Sequence, residues 1–258
     1  VGAGGAGFPT HIKARGEADT VIANGVECEP VLGKDKAIMR AHPDDVVAGL
    51  VVMMGCVGAP RGVIAVKRKN SREVDSMRGA ARGHANVTVA EVGDYYPAGD
   101  EHVLVYEVTG RVVPAGGIPL QVGAVVSNVE TLLNVAKAVR DNVPVTRKYV
   151  TVAGEVKRPG TFRVPVGTSL AQLVEAAGGV RESLRGGFEV LLDGPMMGKA
   201  LPLGQDLSAA QVTKTMSGAI VLPSGHPLLA GRKQSMEHQV RLARSACVQC
   251  THCTDMCP

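Results

Sequence analysis

The sequence predicts an α/β chain: a parallel sheet covered by helices, then a smaller module built mostly from strands. Three observations carry this. Short apolar strands (Thr20 to Asn24, Arg61 to Lys67, Val87 to Val92) alternate with helical stretches (43–57 and 71–82), the spacing of strand–helix–strand units with helices on both faces. Near Pro144 the pattern changes to a hairpin, a short helix and further strands. The chain has 258 residues, 45% hydrophobic and 20% charged, enough for two globular domains.

Composition narrows the function. Aromatics make up 3% and Trp is absent, so Val, Leu, Ile, Ala and Met must build the core. The net charge is +4, and the densest basic run, Lys67-Arg68-Lys69, has no aromatic platform beside it. It reads as a solvated patch, which argues against a nucleic-acid partner. The longest apolar run, Val46 to Val57, is too short for a bilayer and reads as a buried helix of a soluble protein without a transmembrane segment. Val1 in place of Met and the ending Cys257-Pro258 suggest a piece of a longer protein without a secretory signal.

In chain order, the first stretch is Gly2-Ala3-Gly4-Gly5-Ala6-Gly7-Phe8-Pro9-Thr10-His11-Ile12-Lys13. Glycines lack the Cβ atoms that keep a ligand from the backbone, and their N–H groups can converge on an anion. Pro9-Thr10 offers a helix start, and Lys13 a cation one turn later. The loop is neither a Walker loop nor a dinucleotide fingerprint after a strand. The strand ending at Asn24 runs into Gly25-Val26-Glu27-Cys28-Glu29-Pro30, at the strand end where such sheets bind ligands.

The helix at 43–57 has an acidic start and stops at Gly58. After the third strand, the turn 95–101 leads into a helix from His102 to Thr109, with Asp100 and Glu101 where the helix dipole favours acids. A Pro- and Gly-rich loop covers 111–123. Val125 to Thr131 then leads into a helix from Leu132 to Asp141, capped by Ser127 or Asn128. In the second module, strands 149–156 and 160–166 flank Lys157-Arg158-Pro159, Ser169 caps a helix to Ala177, and strands follow at 188–193 and 219–222: a β-grasp-like order. Residues 226–244 read as a helical connector. The expected divisions are 1–143, 144–225 and 226–258.

Four of the six cysteines fall in the last twelve residues, as Cys247, Cys250, Cys253 and Cys257 in the run C-x2-C-x2-C-x3-C-P. This is a metal pattern of a reducing compartment. Such tight spacings wrap a chain round an iron–sulfur cube, so a [4Fe-4S] site is expected, with structural zinc as the alternative. In two-cluster ferredoxins the fourth cysteine of such a run serves the other cluster, so Cys247, Cys250 and Cys253 need a ligand from further along. Cys28 reads as adjacent to a site and Cys56 as a core residue. His252 is expected to pack beside the cluster.

The glycine loop, the Asn24-to-Pro30 turn, Gly99-Asp100-Glu101 and Asn128-Val129-Glu130-Thr131 together resemble the flavin-binding superfamily. That superfamily includes the complex I 51-kDa subunit, the RnfC proteins of Rnf electron-transport complexes and the cobalamin reductases of propanediol-utilisation microcompartments. The likeness extends through the β-grasp segment (an SLBB domain there), Gly194-Pro195-Met196-Met197-Gly198 and the cysteine run, read as the start of a ferredoxin-type segment. Rnf proteins usually carry Gln-Gly-Gly-Glu-Lys where this chain has Ala98 to His102, and Asn-Val-Gly-Thr at 128–131; both departures favour the cobalamin-reductase branch.

The resemblance implies a Rossmann-like flavin domain, FMN on the glycine loop, NADH above it, and two [4Fe-4S] clusters passing electrons to a corrinoid. Gly2, Gly4, Gly5 and Gly7 would approach the flavin phosphate and ring; Lys13 would neutralise the phosphate; Asn24, Asn128 and Thr131 would hydrogen-bond it. Glu27 and Glu29, with Gly99, Asp100 and Glu101, would face the ribityl chain or the nicotinamide nucleotide, and Phe8 would stack on a base. Plainer readings stand beside these: Asn128 as a helix cap, Asp100 and Glu101 as dipole partners, Met196-Met197 as core filling. The implied partners are the corrinoid, the cobalamin adenosyltransferase and microcompartment shell proteins, in the bacterial cytoplasm. Two other functions compete: an Rnf-type subunit on a membrane complex, and a binding module without turnover.

Overall fold

A computed structural model describes residues 2–184, 187–202, 204–251 and 253. The chain begins with the glycine loop and a single turn, α1 (Thr10–Lys13), then β1 (Thr20–Asn24), α2 (Lys34–Ala41), α3 (Pro43–Val57), β2 (Arg61–Lys67), α4 (Ser71–Ala81) and β3 (Val87–Val92). It continues with α5 (Glu101–Thr109), β4 (Ala124–Asn128) and α6 (Val129–Asp141). These four strands form one all-parallel sheet in the order β3-β2-β1-β4. Alternate residues of β1 choose the sides. Val21 and Ala23 pack with Ile38, Leu50, Met77 and Leu132 from α2, α3, α4 and α6, while Ile22 faces Leu104 and Val105 of α5. The result is the three-layer arrangement expected from the strand–helix alternation.

Helices α3 and α6 cross closely because Gly49 has no side chain: a Cβ there would run into the Leu132 backbone carbonyl. Helix α2 is not foreseen from the sequence, since Gly33-Lys34-Asp35-Lys36 looks like polar loop; of its apolar positions, Ile38 and Met39 are buried. Cys56 is exposed, not a core residue. At 100° per residue it falls off the face of α3 that buries Val46, Leu50, Met53, Met54 and Val57.

The second sheet runs β6-β5-β9-β7-β8, built from β5 (Arg147–Gly154), β6 (Gly160–Pro165), β7 (Phe188–Leu192), β8 (Lys199–Ala200) and β9 (Gly218–Pro223). Its central pair, β5 and β9, is parallel and its other pairings are antiparallel, with α7 (Leu170–Ala176) packed against them: the β-grasp order. The expected connector is two helices, α8 (Pro227–Arg232) and α9 (Met236–Ala246). Among the described residues no helix is long and apolar enough to cross a membrane.

Candidate functional site

In the parallel sheet β1 is followed by a crossover to β2 on one side, while β4 pairs on its other side. The strand order therefore reverses at β1, and the carboxyl ends of the β1–β4 pair form the topological switch point where open α/β sheets bind ligands. The glycine loop lies across it. Ala3 N–H donates to Thr131 Oγ1 at 2.8 Å, and a Cβ on Gly4 would touch Asn128 Cβ at 3.4 Å. Gly7 N–H closes a turn on the Gly4 carbonyl, with Gly7 in the left-handed region at φ 61°. A Cβ on Gly2 would meet the Phe8 carbonyl, while at Gly5 the space is open. Among the described residues, no protein acceptor takes the N–H of Gly4, Gly5 or Ala6.

Lys13 spans the other side of the crevice. Its ammonium donates to the Val126 carbonyl at 2.7 Å and to Glu101 at 3.3 Å, and it sits 5.3 Å from the ring centre of exposed Phe8. Asn24 bridges the ends of the crevice, donating to the Gly99 carbonyl at 2.8 Å and accepting the Val26 N–H. Gly99 must be glycine, because a Cβ would strike the Val26 carbonyl and Cys28 Sγ; its N–H donates to that sulfur at 2.8 Å. Burial pushes the Cys28 thiol up, so it stays protonated.

Two of the predicted residues are helix caps in this structure. Asp100 accepts the His102 and Val103 N–H groups at the start of α5, and Asn128 accepts the Glu130 N–H at the start of α6. Asn128 has further duties, since its amide donates to Asp35 at 2.9 Å. Glu27 accepts the Asp35 N–H, and burial together with the Asp35 charge pushes its carboxyl up to about 7. Glu29 turns to the second domain: its carboxylate accepts the N–H of Met196 at 2.9 Å and of Met197 at 2.6 Å. Met197 is exposed and does not fill core space.

The structure also gives Glu130 of the Asn128-to-Thr131 motif three partners that the sequence does not single out. Lys34, Asp35, Glu130 and Lys148 form a buried charge cluster beneath the glycine loop. Burial opposes the Lys34 charge, but Asp35, Glu130 and Glu27 outweigh it and hold that ammonium well above its usual range. Lys148 shows the reverse, pushed down to about 8 by burial and by the charge on Lys34. One signal is visible in Lys148-Tyr149-Val150-Thr151-Val152, where a lysine occupies the same strand parity as two core valines.

Beside the crevice lies a cleft of about 860 Å³, within the size range of small-molecule sites. Glu27, Cys28 and Glu29 line it from the turn after β1, Lys67 and Lys69 from β2 and just beyond, Tyr95 and Tyr96 after β3, and Thr151 and Thr161 from the second sheet. The glycine loop does not line it. The crevice and the cleft thus share the β1 turn, with Glu27 between them.

Cys247, Cys250 and Cys253 are exposed at the end of α9, and Cys257 and His252 lie outside the described residues. Among the described residues no His, Cys, Asp and Glu group is arranged to hold a metal.

Residues 1–137 match the model of the Nuo51 FMN-binding domain, and residues 149–200 that of the SLBB domain. The whole chain is 40% identical to the cobalamin reductase PduS of Citrobacter freundii, covering 55% of that protein. It is 32% identical to a component of the proton-translocating ferredoxin:NAD(+) oxidoreductase complex of Clostridium ljungdahlii, covering 53% of it. The chain thus spans about half the length of the curated relatives it matches. A crystal structure of an NAD+-reducing [NiFe]-hydrogenase matches 86% of this chain and 44% of its own, with TM-score 0.74 and 26% identity.

Proposed function

We propose a function from one premise: this chain belongs to the Nuo51 FMN-binding family, with an SLBB domain following. On that premise the protein is an NADH-dependent, flavin- and iron–sulfur-containing reductase whose electrons end on a corrinoid, cob(III)- or cob(II)alamin. The observation that carries it is the glycine loop at the switch point, with the N–H groups of Gly4, Gly5 and Ala6 unclaimed by protein acceptors among the described residues. Open space over Gly5 and backbone N–H groups without a protein acceptor among the described residues fit an anionic, planar cofactor such as FMN.

Bound FMN supplies the means to take two electrons as a hydride and release them singly. The protein's own part is binding and orientation. Backbone N–H groups of the loop hold negative charge, Asn24 fixes the turn at Gly99, and Glu27, with a carboxyl poised near neutrality, holds or gives up a proton between crevice and cleft. The cleft suits NADH: Tyr95 and Tyr96 offer ring faces, Lys36 offers a cation to its phosphates, and Lys67 and Lys69 share the single carboxylate of Asp94, leaving net positive charge there. Cys247, Cys250 and Cys253 have the donor chemistry and spacing of a [4Fe-4S] site, and would carry electrons away from the flavin. Partnership with the cobalamin adenosyltransferase and shell proteins in a microcompartment belongs to the same reading.

Similarity to the Clostridium ljungdahlii protein supports a second reading, an electron-transfer component of a membrane complex. An absorption spectrum of the full-length protein, purified without oxygen, followed by addition of NADH and then cob(III)alamin, separates the possibilities. Flavin and cluster bands that bleach with NADH and recover with cob(III)alamin are expected. Bleaching without recovery favours the membrane-complex component, and an absence of flavin after reconstitution ends both readings.

A further inference from the structure

Both backbone polar groups of Ala3 are held by side chains distant in sequence. Its N–H donates to Thr131 Oγ1 at 2.8 Å, and its carbonyl accepts from Lys148 Nζ at 2.7 Å. Lys148 belongs to β5 in the second domain and is fully buried. It stands in the inward row of β5 with Val150 and Val152, which pack in the second core. Its ammonium also pairs with Glu130, whose carboxylate accepts from Lys34 at 3.3 Å and from the Tyr149 N–H at 2.9 Å. A buried ion pair is a poor way to add stability, since apolar residues of similar volume serve as well or better. The charge at 148 therefore calls for another explanation.

The peptide bond supplies one. In a trans peptide the carbonyl and the following N–H point in opposite directions. Drawing the Ala3 carbonyl onto the buried Lys148 turns the Gly4 N–H the other way, and that N–H has no protein acceptor among the described residues. Gly4 has no Cβ to resist the alternative, in which the peptide rotates and presents a carbonyl oxygen instead.

We propose that Lys148 is a positioning residue that locks the Ala3–Gly4 peptide with its N–H toward the cofactor, so that the second domain completes the anion-binding surface of the first. This rests on reading the glycine loop as the flavin cradle, and it goes further by assigning part of that cradle to a residue outside the FMN-binding domain. Without the lock, an acceptor dipole would face electron-rich cofactor atoms, weakening binding and making the bound flavin harder to reduce.

The test uses the full-length protein with Lys148→Met and Lys148→Arg. FMN affinity is read by fluorescence quenching, the flavin midpoint potential by redox titration, and the Ala3–Gly4 peptide orientation by a crystal structure of the flavin-free variant. The Met variant should bind FMN at least about tenfold more weakly, with a lowered potential and a rotated or doubly oriented peptide, while Arg restores most of the affinity. Should Lys148→Met fail to fold, the charge-balanced pair Lys148→Met with Glu130→Gln removes one charge of each sign and gives the same readouts. An unrotated peptide with unchanged affinity and potential would overturn the proposal. Failure of the wild type to bind FMN would sink the flavin reading instead, and peptide orientation would still decide whether the lock exists.

Discussion

The glycine-loop crevice and the cysteine run, the two regions proposed to hold cofactors, are prepared in opposite ways. In the crevice, hydrogen bonds that cross long stretches of sequence tie Ala3 to Thr131, Asn24 to Gly99 and Asn128 to Asp35. The shape is a property of the tertiary fold. At the other end, Cys247, Cys250 and Cys253 are exposed beyond a helix with no buried residues. Thiolate sites of that kind take their organisation from the metal, so that binding and folding are one event. A site made of backbone is folded before its ligand arrives; a site made of thiolates is folded by it.

The sharpest way to break that contrast is at a cysteine. In the full-length protein, Cys250→Ser should abolish the cluster held by this run and cut NADH-dependent corrinoid reduction by about 100-fold or more. NADH-dependent reduction of ferricyanide, which takes electrons directly from a flavin, should change by less than about twofold, because the crevice does not depend on the cysteines. Iron analysis and the two assays run side by side decide the matter. Parallel loss of both activities would mean that the two regions are one folding unit.

The same contrast explains what the sequence discloses. The glycine loop, the cap at Asn128, the acidic start of α5 and the alternation of parallel strands with helices are local or periodic, so residue type and spacing reveal them. Lys34, Asp35 and Lys148 are different. Each is an ordinary polar residue in its own neighbourhood, and each acquires its role only when β5 is laid against the start of α6. The mate of Glu29 is equally hidden, because Met196 and Met197 offer backbone N–H groups, which no side-chain pattern advertises. Cys56 misleads for the opposite reason: an apolar run hides the helical phase that places it outside.

A smaller effect is expected at Glu27, where crevice and cleft meet. Its carboxyl is raised from 4.5 to about 7, by burial first and by Asp35 next. The folded state therefore holds this proton more tightly than the unfolded one. The resulting stabilisation is complete below about pH 4.5 and is lost as pH rises through 7. Glu27→Gln should remove that slope, so the variant gains on the wild type by on the order of 1 kcal/mol between about pH 5 and 7.5. Urea midpoints across that range test it. Parallel pH curves for the two proteins would show that Glu27 titrates normally and that the meeting point of the two sites is wetter than the packing implies.

The least effect belongs to the contact between the domains at the cleft mouth. Glu29 receives the N–H groups of Met196 and Met197, while Arg232 of α8 grips the same loop from behind through the Pro195 carbonyl at 2.6 Å and the Gly198 carbonyl. Because the loop is held on two sides, Glu29→Ala should leave the global unfolding transition in place. It should speed hydrogen exchange at the Met196 and Met197 amides by about tenfold, the value of a charge-assisted hydrogen bond. Unchanged exchange would assign the loop's order to Arg232 alone. Faster exchange with a changed NADH KM would instead mean that the second domain, through one carboxylate, sets the width of the cleft.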